Sequence, residues 1–429
     1  MCVLRAAHLA TLGAVIGLIT GGVVSAAGGD HDDRLDRLAA EIRLLQDRAA
    51  TRWVDDRRAA ELRSLVVEVL DDADRRSHHL MSDATGGWDD EFFLAGADGL
   101  FSMTLSGQIQ GRHVWNRRIR NIGSVTEDGF ELRRTKLKLD GTIAGPDIGY
   151  TIGMAANDNG GAVVLQSYNM RFRLSDEWRL LLGRARPPLL REEQVSSKRQ
   201  LLAERSLVSK AFGQTRTLGV TLRYRSDPWK VSIGAMDASD NFDDQSWRLS
   251  GRVERLLAGD WDALEDFTSF PDDEPAAMIG VAVLFQTSDF ADPATTDVTN
   301  LRWSADLTLG AAGMNLFATI AGNHEDRDTS ERVDQYGVVV HAGRFVNDQW
   351  ELFARYEWAD ADDVIPDLSV VTVGVNCYFD AHDSKLTFDV GYGVNEVDRF
   401  FSSTGAGWER DRPGQNGQVV VRSQLQLLF

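Results

Sequence analysis

Cysteine is nearly absent from this 429-residue chain, with only Cys2 and Cys377. A scaffold held by several disulfides is therefore excluded. No cysteine-based metal site can be built either, and His113, His324, His341 and His382 lack the close spacing that zinc or iron sites show. Proline is scarce, at nine against 39 glycines. Long hydrophobic runs are missing as well. After residue 29 no uncharged apolar stretch approaches the ~20 residues of a membrane-spanning helix, so any crossing of a bilayer has to use strands. Nor is there an excess of positive charge: the formal net charge is -19, a field that repels phosphate backbones, and no nucleic-acid partner is expected. No cofactor is expected. What the chain does hold, eleven Trp and nineteen Phe among many glycines, suits a large twisted sheet better than a helical bundle. The charge is unevenly placed. Between Phe130 and Lys230 there are 18 Lys+Arg against 10 Asp+Glu, a local +8 that leaves -27 for the remainder.

The first 27 residues read as a secretory signal. Arg5 precedes the uncharged stretch from Leu9 to Gly29, and Val24-Ser25-Ala26-Ala27 supplies the small residues a signal peptidase needs. A retained anchor helix is the alternative, weakened by Gly13, Gly17, Gly21 and Gly22. In 30–76, Leu35, Leu38, Ile42, Leu45 and Ala49 recur at spacings of three and four, and Leu62, Leu65 and Val69 resume the seam. Such a helix is too narrow to fold alone, so it is expected to form a coiled coil with copies of itself; the competing reading packs it on its own domain. Residues 77–99, with Gly86, Gly87, Asp89, Asp90 and Glu91, read as a linker.

The remainder, 100–429, alternates with period two. Phe101, Met103, Leu105 and Ile109 fall on one face, and Ser102, Thr104, Ser106, Gln108, Gln110 and Arg112 on the other. Trp350, Leu352, Ala354, Tyr356 and Trp358 alternate in the same way with Glu351, Arg355 and Glu357. Sixteen such segments are expected, at 100–115, 130–144, 148–157, 163–174, 177–185, 216–225, 229–236, 247–255, 278–287, 299–310, 313–322, 335–345, 349–359, 368–379, 384–394 and 419–429. Many have the length of a tilted bilayer-spanning strand. Even-numbered segments end in short turn chemistry such as Gly145-Pro146-Asp147 and Ser226-Asp227-Pro228, whereas most odd-numbered ones lead to longer links, for example 116–129, 186–215 and 395–418. Residues 256–277 break this rule, and either fold into the short-turn mouth or mark a slip of strand phase. The chain closes on Phe429, as a last strand pairing with the first would require. The expected fold is thus all-β, a 16-stranded antiparallel transmembrane β-barrel with an N-terminal periplasmic α-helical coiled-coil segment, in the outer membrane of a Gram-negative-type bacterium.

If the apolar rows face lipid, the strand parities place Arg112, Arg134, Lys136, Lys138, Arg171, Arg173, Arg223, Arg225, Lys230, Arg248, Arg252 and Arg302 in a water-filled lumen. The link between the fifth and sixth segments adds Arg184, Arg186, Arg191, Lys198, Arg199, Arg205, Lys210 and Arg216 against Glu192, Glu193 and Glu204, and with leucines throughout it is expected to fold inward. Rings of Arg and Lys select anions. Opposed to this stands a weakly selective pore in which Asp140, Glu254, Asp306, Glu351 and Glu357 neutralise the cations. Two other classes compete with a pore: a barrel enzyme using Ser402, Ser403, Asp360 or Asp362, and an envelope tether in which the barrel only anchors the helix.

The residues Gly129-Phe-Glu-Leu-Arg133-Arg134-Thr-Lys-Leu-Lys-Leu-Asp-Gly141-Thr, Leu182-Gly183-Arg184, Glu193-Gln-Val-Ser196-Ser197-Lys198, Glu204-Arg205-Ser-Leu, Trp350-Glu-Leu-Phe-Ala-Arg355-Tyr-Glu and Val373-Gly-Val-Asn376 resemble the phosphate-selective porin O/P family. The resemblance implies a homotrimer with an inward third loop carrying Ser196, Ser197 and Lys198, and an arginine-lined eyelet to which Arg133 or Arg134 contributes. The substrate-binding set expected on both grounds is Arg133, Arg134, Lys136, Arg171, Arg173, Arg184, Ser196, Ser197, Lys198, Arg205 and Arg223. Expected partners are small anions in transit, outer-membrane lipid and lipopolysaccharide, and peptidoglycan through the coiled coil.

Overall fold

The structure, a computed structural model, describes residue 41 and residues 84–429 except 90, 120–122, 157–161, 239–245, 289–297, 328–331 and 362–364. The expected signal and coiled coil lie outside the described residues. The chain divides into two units at 82/83, and the second is described here.

The strands are β1 (Ala84–Asp89), β2 (Glu91–Gly96), β3 (Phe101–Ile119), β4 (Ser124–Ile143), β5 (Ile148–Ala156), β6 (Val163–Arg173), β7 (Trp178–Ala185), β8 (Thr217–Ser226), β9 (Trp229–Asp237), β10 (Trp247–Ala258), β11 (Ala276–Ser288), β12 (Val298–Ala311), β13 (Met314–Arg327), β14 (Arg332–Phe345), β15 (Trp350–Asp360), β16 (Leu368–Asp380), β17 (Ser384–Gly393) and β18 (Val419–Leu428). From β3 to β18 each strand pairs antiparallel with the next, and β18 pairs with β3 from Val419↔Arg117 to Leu428↔Gln108, so sixteen strands close into a barrel with no free edge. At the seam the last residue continues the ladder, its carbonyl accepting from Gly107 N at 2.6 Å. Its ring lies flat over Gly107, where an added Cβ would stand 2.2 Å from it.

All sixteen expected segments are strands, and the differences are at the ends. The stretch 84–96, read as part of a linker, is a hairpin whose second strand pairs Phe92–Ala95 with Leu105–Ser102 of β3. The link expected over 116–129 is mostly paired strand, because β3 and β4 run for 19 and 20 residues and stay in register out to Ile119↔Ser124. Hydrogen bonding of the two backbones outweighs the polar composition there. One rim carries the short turns. The turn between β12 and β13 is only Ala312-Gly313, both with positive φ (43° and 83°), the geometry that matches strand twist in a two-residue hairpin. The other rim carries the long links.

Side chains obey the alternation. Ile320, Val340, Leu352, Val373, Phe388 and Leu425 are exposed on the outside, while Asn315, Gln335, Glu351, Arg355, Thr372, Asn376 and Arg422 are buried inside. Among the described residues no helix is long and apolar enough to cross a membrane.

Two segments fill part of the lumen. Residues 186–216 turn inward after β7 and carry α1 (Arg191–Gln194) and α2 (Leu207–Phe212), the latter capped by Ser206 Oγ accepting from Ser209 N at 2.8 Å. Leu189, Leu190, Leu207, Val208 and Phe212 of this link pack on Leu284, Ala321, Val339, Leu368 and Val370 of the wall. Gly337 lets α2 approach, since a Cβ there would meet Val208 Cγ1 at 2.6 Å. The wall's polar side chains take up the link's backbone. Arg355 donates to Glu204 O (2.8 Å), Lys385 to Gln200 O (2.8 Å) and Asn376 to Leu201 O (2.9 Å), while Glu357 accepts from Leu207 N (2.6 Å).

The second segment settles the ambiguous stretch 256–277. Strand phase does not slip; 259–275 folds into the short-turn mouth. Phe267 packs at a tilt against Phe317 at 4.7 Å and edge-on against His341 at 4.8 Å, Phe270 sits against Phe345 and Tyr378, and Trp261 Nε1 donates to Asp227 at 2.8 Å. It also touches the inward link, through Arg199–Glu265 at 2.5 Å and the joint cluster of Phe267 with Val195, Leu201 and Leu202.

Candidate functional site

Beside the inward link, space opens on the β4–β9 side of the barrel. Two cavities of about 620 Å³ each lie there, and five residues line both: Lys136, Gln166, Gln194, Ser196 and Arg216. Residues shared by two adjoining cavities border the passage between them, so these five form a waist. The cavity on the long-link side also carries Arg133, Arg134, Arg186, Arg205 and Lys210, with Glu193 and Glu204 as its acids. On the short-turn side stand Lys138, Arg191, Lys198, Arg199, Arg223 and Lys230, with Glu91 and Glu265. A third cavity, of about 400 Å³, opens beside the waist and is lined by Arg171, Arg179, Arg223, Arg225 and Lys230.

The two arginines at 133 and 134 cannot both face inward in a regular strand, whose period is two. The ladder between β3 and β4 jumps from Gln110↔Arg134 to Gly111↔Leu132, leaving Arg133 as the extra residue of a bulge. Both guanidinium groups therefore reach Glu204: Arg133 Nε at 2.6 Å and Arg134 Nη2 at 2.7 Å. Arg112 Nη1 joins them at 2.7 Å. Burial alone pushes the Glu204 carboxyl up, but Arg134, Arg133 and Arg112 outweigh it and hold the group well below the usual carboxylate range. Lys136 Nζ lies 3.1 Å from Ser197 Oγ, which in turn donates to Gln108 Oε1 at 3.2 Å. Gln110 and Gln426 of the seam donate to Ser197 O and Lys198 O, and so hold the serine–lysine stretch in place. Arg205 donates to Glu192 O (2.8 Å) and Val195 O (2.7 Å); burial first, then Arg186 and Arg134, bring it down to about 10. Arg216 is brought down to about 10 by burial and by Arg186.

Of the expected site residues, Arg133, Arg134, Lys136, Ser196, Ser197 and Arg205 come together at the long-link cavity and the waist. Lys198 and Arg223 lie below it. Three do not belong there. Arg184 stands opposite Tyr168 and Leu218 in the row of outward side chains and lines neither large cavity. Arg173 pairs with Asp176 at 2.6 Å on an exposed turn. Arg171 lines the third cavity, 3.5 Å from Asp140. Parity placed these side chains on a face but not at a depth. Gln166 and Gln194 were missed as waist residues, because uncharged amides give no composition signal, and Arg216, named among the cations of the link, was not placed in the site. The docking of the inward link was missed too, although a signal existed: Leu284, Phe317, Val339 and Phe353 interrupt the polar lumenal rows where the link packs. The acids weighed as neutralisers divide by position. Asp306 takes both Arg252 nitrogens (2.7 and 2.9 Å) and Glu357 lies 2.8 Å from Arg355 Nε under the filled side, whereas Asp140 pairs with Lys138 and Glu254 lines the third cavity, 2.9 Å from Arg252. Ser402 Oγ donates to Arg399 O at 3.1 Å.

The sequence profile of the family described as phosphate-selective porin O and P matches residues 117–255, from β3 into β10. That match covers the first strands of the barrel, and the closed sixteen-stranded fold is one that solved outer-membrane proteins share. In fold the chain is similar to a loop-deletion mutant of OmpT, an outer membrane protein of Vibrio cholerae, at TM-score 0.54 and 13% identity over 77% of this chain and 100% of that one. It is similar to an anion-selective porin from Comamonas acidovorans at 0.54 and 11%, over 77% and 100%. The outer membrane channel DcaP of Acinetobacter baumannii matches at 0.51 and 13%, over 78% and 99%. No curated protein sequence matches.

Proposed function

We propose that the barrel passes small oxyanions and chloride by diffusion through the cationic waist, and that phosphate-like or carboxylate-bearing solutes are its preferred cargo. The observation that carries this is the imbalance at the long-link cavity. Seven cations line it against two carboxylates, and both carboxylates are already held by arginine, in a chain whose total charge is -19. Local field decides passage, because charges beyond ~8 Å are screened at physiological salt while those at a narrow opening are not. The general-pore alternative draws on Asp140, Glu254, Asp306, Glu351 and Glu357; Asp306 and Glu357 pair with arginines under the filled side, Glu351 is buried with Asn315, Asn376 and Tyr378, and neither Asp140 nor Glu254 lines the long-link cavity. The family match and the anion-selective structural relative point the same way.

The assembly that fits this reading is a homotrimer with its apolar outer rows in lipid and lipopolysaccharide at the long-link rim. OmpT of Vibrio cholerae occurs in a trimer form, and the heptad-like segment 30–76 offers a second contact, in the periplasm, from which peptidoglycan is within reach. The test is a single-channel reversal potential in a potassium chloride gradient. Anion preference is expected, reduced when Lys136 and Arg216 are both replaced by Ala. A wild-type pore that prefers potassium overturns the reading.

A further inference from the structure

The inward link carries three carboxylates, and they do different things. Glu192 accepts from Ser206 N (2.8 Å) and Ser206 Oγ (2.5 Å), and Glu193 accepts from Gln214 N (2.9 Å) and from Arg186, so both tie the link to itself and its base. Glu204 is unlike them. Its backbone is held to the filled wall by Arg355, but its side chain crosses to the open wall and takes Arg112, Arg133 and Arg134 at once. Arg112 is also engaged by Glu131 and by Gly405 O, and Arg134 by Gln110 Oε1 at 2.9 Å, while Arg133 and Arg134 both reach the one Glu204 carboxylate. The Glu204 and Arg134 side chains are nearly covered, at 5% and 11% exposed, while Arg133 is 22% exposed, and all three line the cavity above the waist. A carboxylate is an oxyanion, with the same oxygen spacing that guanidinium forks recognise in any carboxylate or phosphate. The protein therefore keeps an anion of its own in the place where the bulge gathers its arginines.

We infer that Glu204 is an internal counter-anion that sets the channel's selectivity and release: between transits it occupies the donors of Arg133 and Arg134, and a passing oxyanion captures them only by sharing with it. Two adjacent arginines with no competitor would bind a divalent oxyanion tightly and block the pore, and conduction needs binding weak enough to leave. Glu204 lowers the affinity by its own negative charge within hydrogen-bond distance of the same nitrogens, without removing the arginines that attract the ion. This deepens the anion reading of the waist and rests on it.

The measurement is block of chloride current by inorganic phosphate across a planar bilayer, in wild type and Glu204→Gln. Gln keeps the side-chain shape and one acceptor but removes the charge. The expected result is phosphate residence about tenfold longer, with stronger block and a reversal potential shifted further toward anions. Unchanged or weaker block overturns the inference, because a carboxylate that merely fixes the link would, on removal, loosen the arginines and lower selectivity. Should the Gln variant fail to assemble, Glu204→Asp retracts the charge by one methylene, and a lengthened residence is expected; no change overturns it. The two readings fail separately. A cation-preferring wild type sinks the anion channel, whereas an anion channel whose reversal potential is unmoved by Glu204→Gln sinks only the counter-anion.

Discussion

The two halves of the barrel wall obey the same alternation and carry opposite lumenal surfaces. On β14 and β15 every inward residue is buried, from Val333 through Phe345 and from Glu351 through Ala359. On β4 the inward Arg134 and Lys136 stay half-buried and Lys138 is exposed. The difference lies in what covers them. The filled half accepts the inward link and the 259–275 insert, so its charges are paired: Arg252 with Asp306, Arg355 with Glu357, Arg422 with Asp389. The open half keeps cations in excess because water and passing ions can solvate them. Alternation gives a strand two faces, and the chemistry of the inner one depends on whether it meets protein or solvent.

The sharpest way to break this comparison is to unpair a charge in the filled half. Arg422 and Asp389 side chains are fully covered, 2.6 Å apart. Asp389→Ala strands a buried guanidinium and is expected to destabilise the barrel by about 3–5 kcal/mol, read from urea unfolding in detergent micelles. Replacing both partners with apolar residues of similar volume should recover most of that loss. The same Ala change costing under ~1 kcal/mol would mean that the covered lumen is wet.

Next in size is a charge on the lipid side. Val340→Arg, outward on β14, is expected to cost about 2–4 kcal/mol near mid-membrane. Gln166→Arg at the waist should stay within about 0.5 kcal/mol and change conductance instead. Equal effects would show that the open lumen is no more forgiving than the lipid face.

The seam joins the two halves. Gly107→Ala pushes a methyl into the Phe429 ring and is expected to cost about 1–3 kcal/mol, visible as a lowered temperature for the gel-mobility shift of the folded barrel.

The smallest effect is on titration in the open half. Arg205 and Arg216 lose their protons near pH 10 in the folded protein, against 12.5 when unperturbed. Between those values the unfolded chain holds protons that the folded one lacks, so stability rises slightly with pH while lumenal positive charge falls. Anion preference should therefore decline between pH 9 and 11, and decline less in the Arg205→Ala, Arg216→Ala double variant, where the lumenal lysines still titrate. A flat profile in wild type would place both groups outside the conducting path.

Particular residues show how much could be read in advance. Strand positions, the closing ladder at Phe429 and the inward turn of 186–216 were legible, because alternation, turn chemistry and a leucine-bearing long link are local patterns. The hairpin over 84–96 was not, since Gly86 and Gly87 read as linker and only pairing with β2, itself held on β3, makes them strand. Arg133 and Arg134 looked like alternatives until the bulge at Gln110/Gly111 turned both inward. Arg173 and Arg184 had the right charge in the right stretch, but a turn carboxylate holds the one and register puts the other in the outward row.

By itself the sequence determined the alternating strands of the barrel, their number and the excess of cations between Phe130 and Lys230, because period-two hydrophobicity and charge composition act residue by residue. Only the tertiary structure decided which cations are free to meet an ion. Arg252, Arg355 and Arg422 are as positive as Arg216 and Lys136. Arg252 and Arg422 differ in having a carboxylate of another strand, Asp306 or Asp389, brought within 3 Å, and Arg355 in being covered by the inward link beside Glu357 of its own strand; such pairing and covering belong to the closed barrel and to the segments folded inside it.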